Sequence, residues 1–295
     1  AQIEQKGKQM KILIAIDSFK GSLSSLEAGN AVKEGIEALA GETSEVTVKP
    51  IADGGEGSVE ALADALEGEF IDVIVQNPLG EKIPARYALA GELGILEMAS
   101  SSGLMLVEKE RRNPMKTSTY GFGQMILHAI GKGARKFIVG IGGSATNDAG
   151  TGMLNALGYE FFDENGELLE GKGENLIKIT KISSKNVAPE LKECEFLIAC
   201  DVDNPLFGKN GAAYVYGPQK GADEQMVKDL DAGLISFASA TSEHFSSEFW
   251  NFKGAGAAGG LGYGFVSYLN AKLKPGIDII MEEICLEEDV KNADL

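Results

Sequence analysis

Hydrophobic positions along the chain follow two rhythms. Short β-rich runs at Lys11–Ile16, Glu45–Lys49, Phe70–Val75, Lys136–Ile141 and Phe196–Cys200 read as strands. Between them the apolar positions recur at helical spacing. Ser24 with Glu27 three residues on forms a capping box, ahead of Ala28, Ala31, Val32, Ile36 and Leu39 on one face, and Gly41 ends that helix. Val59, Leu62, Ala63 and Leu66 mark a second helix. This βαβαβ opening predicts a parallel sheet with right-handed crossovers. The rhythm changes at Asn77-Pro-Leu-Gly80, where Lys82–Leu89 and Gly94–Met98 predict antiparallel pairing and passage into a second domain. Further on, Ala145, Ala149, Met153, Ala156 and Leu157 predict a helix over 144–157. A hairpin turns at Asn165-Gly166, a long helix runs from Asp223 to about His244, and Phe265–Leu269 and Ile277–Cys285 close the pattern.

The totals narrow the partners. A chain of 295 residues is long enough for two domains, and 44% hydrophobic with 24% charged residues is a globular composition. The net charge of -17 repels nucleic acid and anionic membranes, so neither is an expected partner. No apolar run is long enough to span a bilayer. Ala1–Gln9 is polar rather than a secretory leader, and Met10 is the expected natural start. Cys194, Cys200 and Cys285 have no metal-ligand spacing and form no even disulfide set, so the expected compartment is the cytoplasm. With only His128 and His244 present, a histidine zinc site is not expected, and His128 falls in an apolar helical pattern that makes it structural. Nothing in the pattern specifies an oligomeric state.

The candidate chemistry lies in loops that follow strands: Asp17–Lys20, Asp53–Glu56, Gly142–Asp148 and Asp201–Asn204. Ligands of open α/β sheets bind beyond the carboxyl ends of the strands. The stretch Gly140-Ile-Gly-Gly-Ser-Ala-Thr-Asn-Asp-Ala-Gly150 reads as strand, glycine turn and helix start, a site for phosphate on backbone N–H groups. Gly140, Gly142 and Ala145 also match G-x-G-x-x-A, with Glu160 and Asp163 near the spacing of a ribose-binding acid, which admits an NAD(P)-dependent oxidoreductase acting on a small hydroxy acid. Two other glycine runs are set aside. Gly166–Gly173 lacks the Ser or Thr of a Walker loop and is ringed by glutamates, and Gly254–Gly262 has no strand before it. The hydroxyls of Pro114–Gly121 either cap the next helix or bind an anion. Carboxylates beside a phosphate repel it unless Mg²⁺ intervenes or one serves as base, which is the logic of phosphoryl transfer.

On these residues the chain resembles the bacterial glycerate kinase family, the type that phosphorylates D-glycerate. The matching stretches are Asp17-Ser-Phe-Lys-Gly-Ser-Leu23, Ala52-Asp-Gly-Gly-Glu-Gly57, Gly140–Asp148, Cys200-Asp-Val-Asp-Asn-Pro-Leu206, Gly217-Pro-Gln-Lys-Gly221 and Gly254-Ala-Gly-Ala-Ala-Gly-Gly260, in that order. The resemblance implies an α/β protein of two domains: one Rossmann- or flavodoxin-like with a parallel sheet, one an inserted mixed α/β domain, the active site between them. The boundaries read as 10–77 with 275–295 for the first, and 78–274 for the second. It implies ATP with Mg²⁺ as phosphoryl donor and D-glycerate as acceptor, giving 2- or 3-phosphoglycerate. A non-catalytic metabolite-binding relative is the other alternative.

Site roles are assigned from chemistry. Asp17, Ser18, Lys20, Asp53, Gly54, Gly55 and Glu56 are expected to bind substrate, Lys20 neutralising a carboxylate or phosphate. Gly142, Gly143, Ser144, Ala145, Thr146 and Asn147 are expected to cradle the nucleotide phosphates. Asp201 is expected to hold Mg²⁺ or act as base, with Asp148 the competing base. The resembling family's chain runs on beyond Leu295. Glu282–Val290 reads as an acidic helix, Lys291–Asp294 as a turn and Leu295 as the first apolar residue of a strand, so the expectation is an unfinished αβ unit that binds ligand weakly and phosphorylates poorly.

Overall fold

The computed structural model describes residues 9–19, 22–52, 58–245 and 250–295. The chain divides into two α/β units, one formed by 1–68 with 275–295 and the other by 69–274. Elements are numbered in chain order.

The first unit contains β1 (Met10–Ile16), α1 (Ser25–Ala40), β2 (Ser44–Pro50) and α2 (Ser58–Ala65). It is completed by α9 (Gly276–Glu283) and α10 (Leu286–Asn292). β1 and β2 pair in parallel, Ile12 opposite Val46, and their inward residues Ile12, Ile14 and Val46 form a small core with Ile16, Ile36 and Val48. The capping box is present: the Glu27 N–H donates to Ser24 Oγ at 3.2 Å and the Ser24 N–H to Glu27 Oε2 at 2.8 Å. Those bonds hold the Glu27 carboxyl below the usual carboxylate range. Lys49, near the end of β2, donates to Ile284 O at 3.0 Å and pairs with Asp289 at 3.0 Å, tying α9 and α10 to the strand. Leu295 lies along β1, its N–H bonded to Lys11 O at 3.2 Å and its carbonyl accepting from Leu13 at 2.9 Å.

The second unit opens with β3 (Glu69–Gln76), β4 (Lys82–Ala90), β5 (Leu93–Glu97), α3 (Ala99–Ser102), α4 (Tyr120–Gly131) and β6 (Lys136–Gly140). It continues through α5 (Thr151–Ala156), β7 (Glu160–Phe162), β8 (Leu168–Leu169), β9 (Lys181–Ser183) and β10 (Glu195–Ala199). It ends with α6 (Ala212–Tyr216), α7 (Glu224–Phe245), α8 (Ala257–Leu269) and β11 (Lys272–Lys274). Six strands form one sheet in the order β11-β10-β6-β5-β4-β3. β11, β10, β6 and β5 are mutually parallel, while β4 and β3 continue the sheet antiparallel. β5, β6 and β10 are largely buried apolar runs, as strands covered on both faces must be, while β11, Lys-Leu-Lys at the sheet's end, is not. Phe137 of β6 and Phe196 of β10 are register partners whose rings stack at 4.7 Å. α4 buries Phe122, Met125, Ile126, Ala129 and Ile130 in the same core. His128 is structural there, its Nδ1 lying 3.0 Å from the Tyr87 hydroxyl.

Two expectations are corrected. Phe70–Val75 does not continue a parallel sheet in the first unit; as β3 it pairs antiparallel with β4 from Glu69–Leu89 to Gln76–Lys82, so the boundary falls at Gly68 rather than Asn77. The connection is too short for a crossover. Asn77 closes it, its Oδ1 accepting from the N–H groups of Leu79 and Glu81 at 2.9 Å each. The helix expected over 144–157 starts only at Thr151. Ala149 (φ 52°) and Gly150 (φ 77°) are left-handed, which a right-handed helix does not admit. Ala145 and Ala149 are apolar because neighbouring segments bury them, not because they line a helix.

Candidate active site

The parallel strands of the second unit end in one row. Glu97, Gly140, Ala199 and Lys274 are successive register partners across β5, β6, β10 and β11. Beyond this row, where open parallel sheets bind their ligands, β6 runs into 141–150. Gly142 and Gly143 are exposed, and a Cβ on Gly142 would meet nothing within 4 Å. Among the described residues the N–H groups of Gly142, Gly143 and Ser144 donate to no protein acceptor. Successive free N–H groups on a bare glycine turn form an anion cradle without a helix. That matters here, because α5 has only six residues and does not start at the glycines. The dinucleotide reading, which needs a helix start on the glycine turn, loses its structural basis for the same reason.

Three segments hold the loop. The Leu104 N–H bonds Gly143 O at 2.8 Å and the Ala145 N–H bonds Ser102 O at 2.9 Å, pairing the loop with the segment after β5. From the segment before α4, Thr117 Oγ1 donates to Ala145 O at 2.9 Å. Thr119 Oγ1 donates to Asp148 Oδ2 at 2.7 Å, and its N–H reaches the same oxygen at 2.8 Å. The Thr117 and Thr119 hydroxyls thus clamp the loop, while Ser118 Oγ accepts from the Tyr120 N–H at the start of α4 at 3.2 Å and donates to Gly171 O at 2.6 Å. From the third side, the Ala149 N–H bonds Gly259 O at 3.0 Å.

Asp148 is fully buried, and its carboxylate also accepts from Gly150 N at 3.3 Å and Gly152 N at 3.2 Å. Burial pushes its carboxyl up against the pull of those donors. A carboxylate enclosed by four donors from three residues organises the loop and has no approach for a substrate proton, so the expectation of Asp148 as a base is withdrawn. Beside it lies a residue given no role by sequence reasoning. Lys220 is 2% exposed, and its Nζ donates to Ser144 Oγ and Thr146 O at 2.6 Å each. Burial presses its pKa down to about 7, while the Asp148 carboxylate acts the other way. Among the described residues, Thr146 Oγ1, both amide atoms of Asn147 and Ser102 Oγ are buried here without a hydrogen-bond partner.

The remaining expected site residues divide between the units. Asp201 is exposed just past the end of β10, two positions beyond the row. In the first unit, Asp17 and Ser18 follow β1, with the Ser18 N–H on Asp17 Oδ1 at 2.6 Å and the backbones of Phe19 and Leu23 exchanging hydrogen bonds at 2.9 and 3.1 Å after them. β2 ends beside β1, the Ile51 N–H bonding Ile16 O at 3.1 Å. Lys20, Asp53, Gly54, Gly55 and Glu56 lie outside the described residues. Sequence reasoning missed Glu97, Lys274 and Lys220. The first two acquire their place only from strand register. Lys220 stood in the quoted Gly217–Gly221 stretch, but nothing in that stretch signals that its ammonium is buried under another loop. A cavity of about 700 Å³ in the same unit, walled by Tyr120, Tyr159, Asn155 and Gln76, lies apart from the glycine turn. Its Glu160 carboxylate is taken by Ser183 Oγ at 3.1 Å and Asn186 Nδ2 at 2.9 Å.

An anion cradle at a parallel sheet edge, bordered by carboxylates, marks an α/β enzyme of the phosphotransferase class. Comparison with known proteins agrees. Residues 12–295 match the sequence model of the Glycerate kinase family. The chain is 45% identical over 285 residues to the glycerate kinase of Halalkalibacterium halodurans, covering 96% of this chain and 75% of that one. It is 43% identical over 288 residues to the glycerate 2-kinase of Escherichia coli K12, covering 97% and 75%. A crystal structure of a protein provisionally named glycerate kinase 2, from Salmonella typhimurium LT2, superposes with a TM-score of 0.94 at 40% identity over 97% of this chain and 77% of that one. The chain belongs to the glycerate kinase family.

Proposed function

We propose that this protein transfers the γ-phosphoryl group of ATP to the 2-hydroxyl of D-glycerate. The observation that carries the reading is the open cradle of Gly142, Gly143 and Ser144 N–H groups beyond the Glu97–Gly140–Ala199 row. The name of the Escherichia coli relative, a glycerate 2-kinase at 43% identity, supports the 2-hydroxyl.

In this reading the cradle, with Ala145, Thr146 and Asn147 behind it, binds and orients the nucleotide phosphates. Asp201 takes the proton of the attacking hydroxyl as the new O–P bond forms and the bond to the departing ADP breaks. Mg²⁺ is bound by few protein oxygens plus substrate phosphate; the carboxylates of Glu97, at the end of β5, and Asp201, past the end of β10, flank β6 and its glycine loop from either side and would hold it. When bound, it supplies neutralisation of charge on the phosphoryl oxygens. Asp17, Ser18, Asp53, Gly54, Gly55 and Glu56 are assigned to the acceptor's hydroxyls and Lys20 to its carboxylate.

The test is purified protein with Mg-ATP and a panel of small hydroxy acids, with product followed by mass spectrometry and its phosphate position by ³¹P NMR. 2-Phosphoglycerate is the expected product. The reading is falsified if folded enzyme makes no phosphoglycerate, and 3-phosphoglycerate would overturn the choice of hydroxyl alone. Substrate-dependent NAD(P)H absorbance would restore the oxidoreductase reading.

A further inference from the structure

We propose that Lys220 is a positioning residue for the phosphate cradle and acts through the Ser144 hydroxyl; the inference rests on the kinase reading of the loop.

A serine hydroxyl has one hydrogen and two lone pairs. Lys220 Nζ, a donor with no lone pair to give when protonated, lies 2.6 Å from Ser144 Oγ and occupies one of those lone pairs. Its second bond, also 2.6 Å, goes to the carbonyl of Thr146, which can only accept. With the lysine protonated, the Ser144 hydrogen therefore cannot point at it, and among the described residues nothing else accepts that hydrogen. Ser144 is 7% exposed and directly follows the exposed Gly142-Gly143 turn, and among the described residues its N–H is also without an acceptor. A hydroxyl polarised by a donor behind it is a stronger donor in front, so the arrangement gives the cradle a side-chain hydrogen beside its backbone N–H groups.

The placement is expensive, which argues against incidental packing. A lysine 2% exposed loses its hydration, and an aliphatic side chain would fill the same space without that loss. Gly217 and Gly221 shape the short turn that delivers it: a Cβ on Gly217 would come within 2.3 Å of Ala213 O, and Gly221 sits at φ 94°. The ligand class that uses a free hydroxyl hydrogen beside free N–H groups is a phosphate oxygen, not a purine or an apolar group.

The probe is inorganic phosphate, titrated into purified protein at constant ionic strength and read as a rise in unfolding temperature. Wild type should show the rise. Ser144→Ala and Lys220→Met should each weaken phosphate binding about tenfold. The double variant should be no weaker than Ser144→Ala alone within about threefold, because the lysine acts through that hydroxyl. In turnover assays the KM for ATP should rise while the KM for glycerate holds. Additive losses near a hundredfold, or no phosphate effect in wild type, would overturn the inference. If Lys220→Met does not fold, Ser144→Ala decides alone: unchanged phosphate affinity overturns the proposal. Phosphate coupling without any phosphoglycerate formation would sink the kinase reading and keep the cradle. Phosphoglycerate formation with an additive cycle would do the reverse.

Discussion

Two glycine-rich stretches of the second unit, 140–150 and 254–264, look alike in sequence, and the structure uses them in opposite ways. At Gly142 an added Cβ would meet nothing within 4 Å. At Gly256 it would come within 2.2 Å of Pro205 O, and at Gly259, with φ 71°, within 2.1 Å of Thr146 O. The first stretch is bare so that something from outside can approach the backbone. The second is bare so that another piece of the same backbone can. Ala258, Gly259 and Gly260 form a left-handed kink at the start of α8 that presents Gly259 O to the Ala149 N–H. A G-x-G-x-x-G pattern reports close approach and does not say what approaches.

The most damaging way to probe this difference is Gly259→Ala. The left-handed backbone costs about 1–2 kcal/mol for an L-residue, and overlap with Thr146 O adds about 1–3 more. A loss of roughly 2–5 kcal/mol in chemical denaturation is expected; a change under about 1 kcal/mol would mean that the kink is not a packing seam.

Next comes the carboxylate beside the open stretch. Asp201→Asn should reduce turnover on the order of 10²-fold with folding intact. If Asp201 only stabilises its turn, the variant will instead lose about 1 kcal/mol of stability and keep its rate.

The lysine between the two stretches offers a pH test. Lys220 has its pKa pressed to about 7 against an ordinary 10.5. The cost of burying its charge is full below pH 7 and is relieved as pH rises from 7 to 10.5, because there the unfolded chain binds the extra proton. The stability of wild type relative to Lys220→Met should therefore rise across that window, by about 1.4 kcal/mol per pKa unit of displacement. A flat difference between pH 7 and 10 would remove the buried charge from the account.

Gly142→Ala should have the smallest effect on stability, within about 0.5 kcal/mol, since the site is open and its backbone is not left-handed. The KM for ATP should nevertheless rise about tenfold, as a methyl group intrudes on the cradle. Destabilisation without a KM change would make the two glycine stretches the same kind of seam after all.

The sequence by itself determined the local structure and the chemical vocabulary. Periodicity marked the parallel strands, Ser24 with Glu27 marked the start of α1, and Asn165-Gly166 marked the β7–β8 hairpin, because each signal lies within a few neighbouring residues. The strand-end position of the glycine loop and of Asp201 was legible for the same reason, and the ordered motifs carried the family. Tertiary structure decided what depends on residues far apart in the chain. The pairing of β3 with β4 moved the unit boundary, since strand partners are chosen by connection length and register rather than by each strand's own pattern. The start of α5 shifted because Asp148 bonds Thr119, 29 positions away, and Gly259 bonds Ala149. Lys220 reaches Ser144 across 76 positions. Burial and desolvation turn one acid of the glycine loop into a clamp and an ordinary-looking lysine into its support, and those are properties of the packed environment, not of either residue.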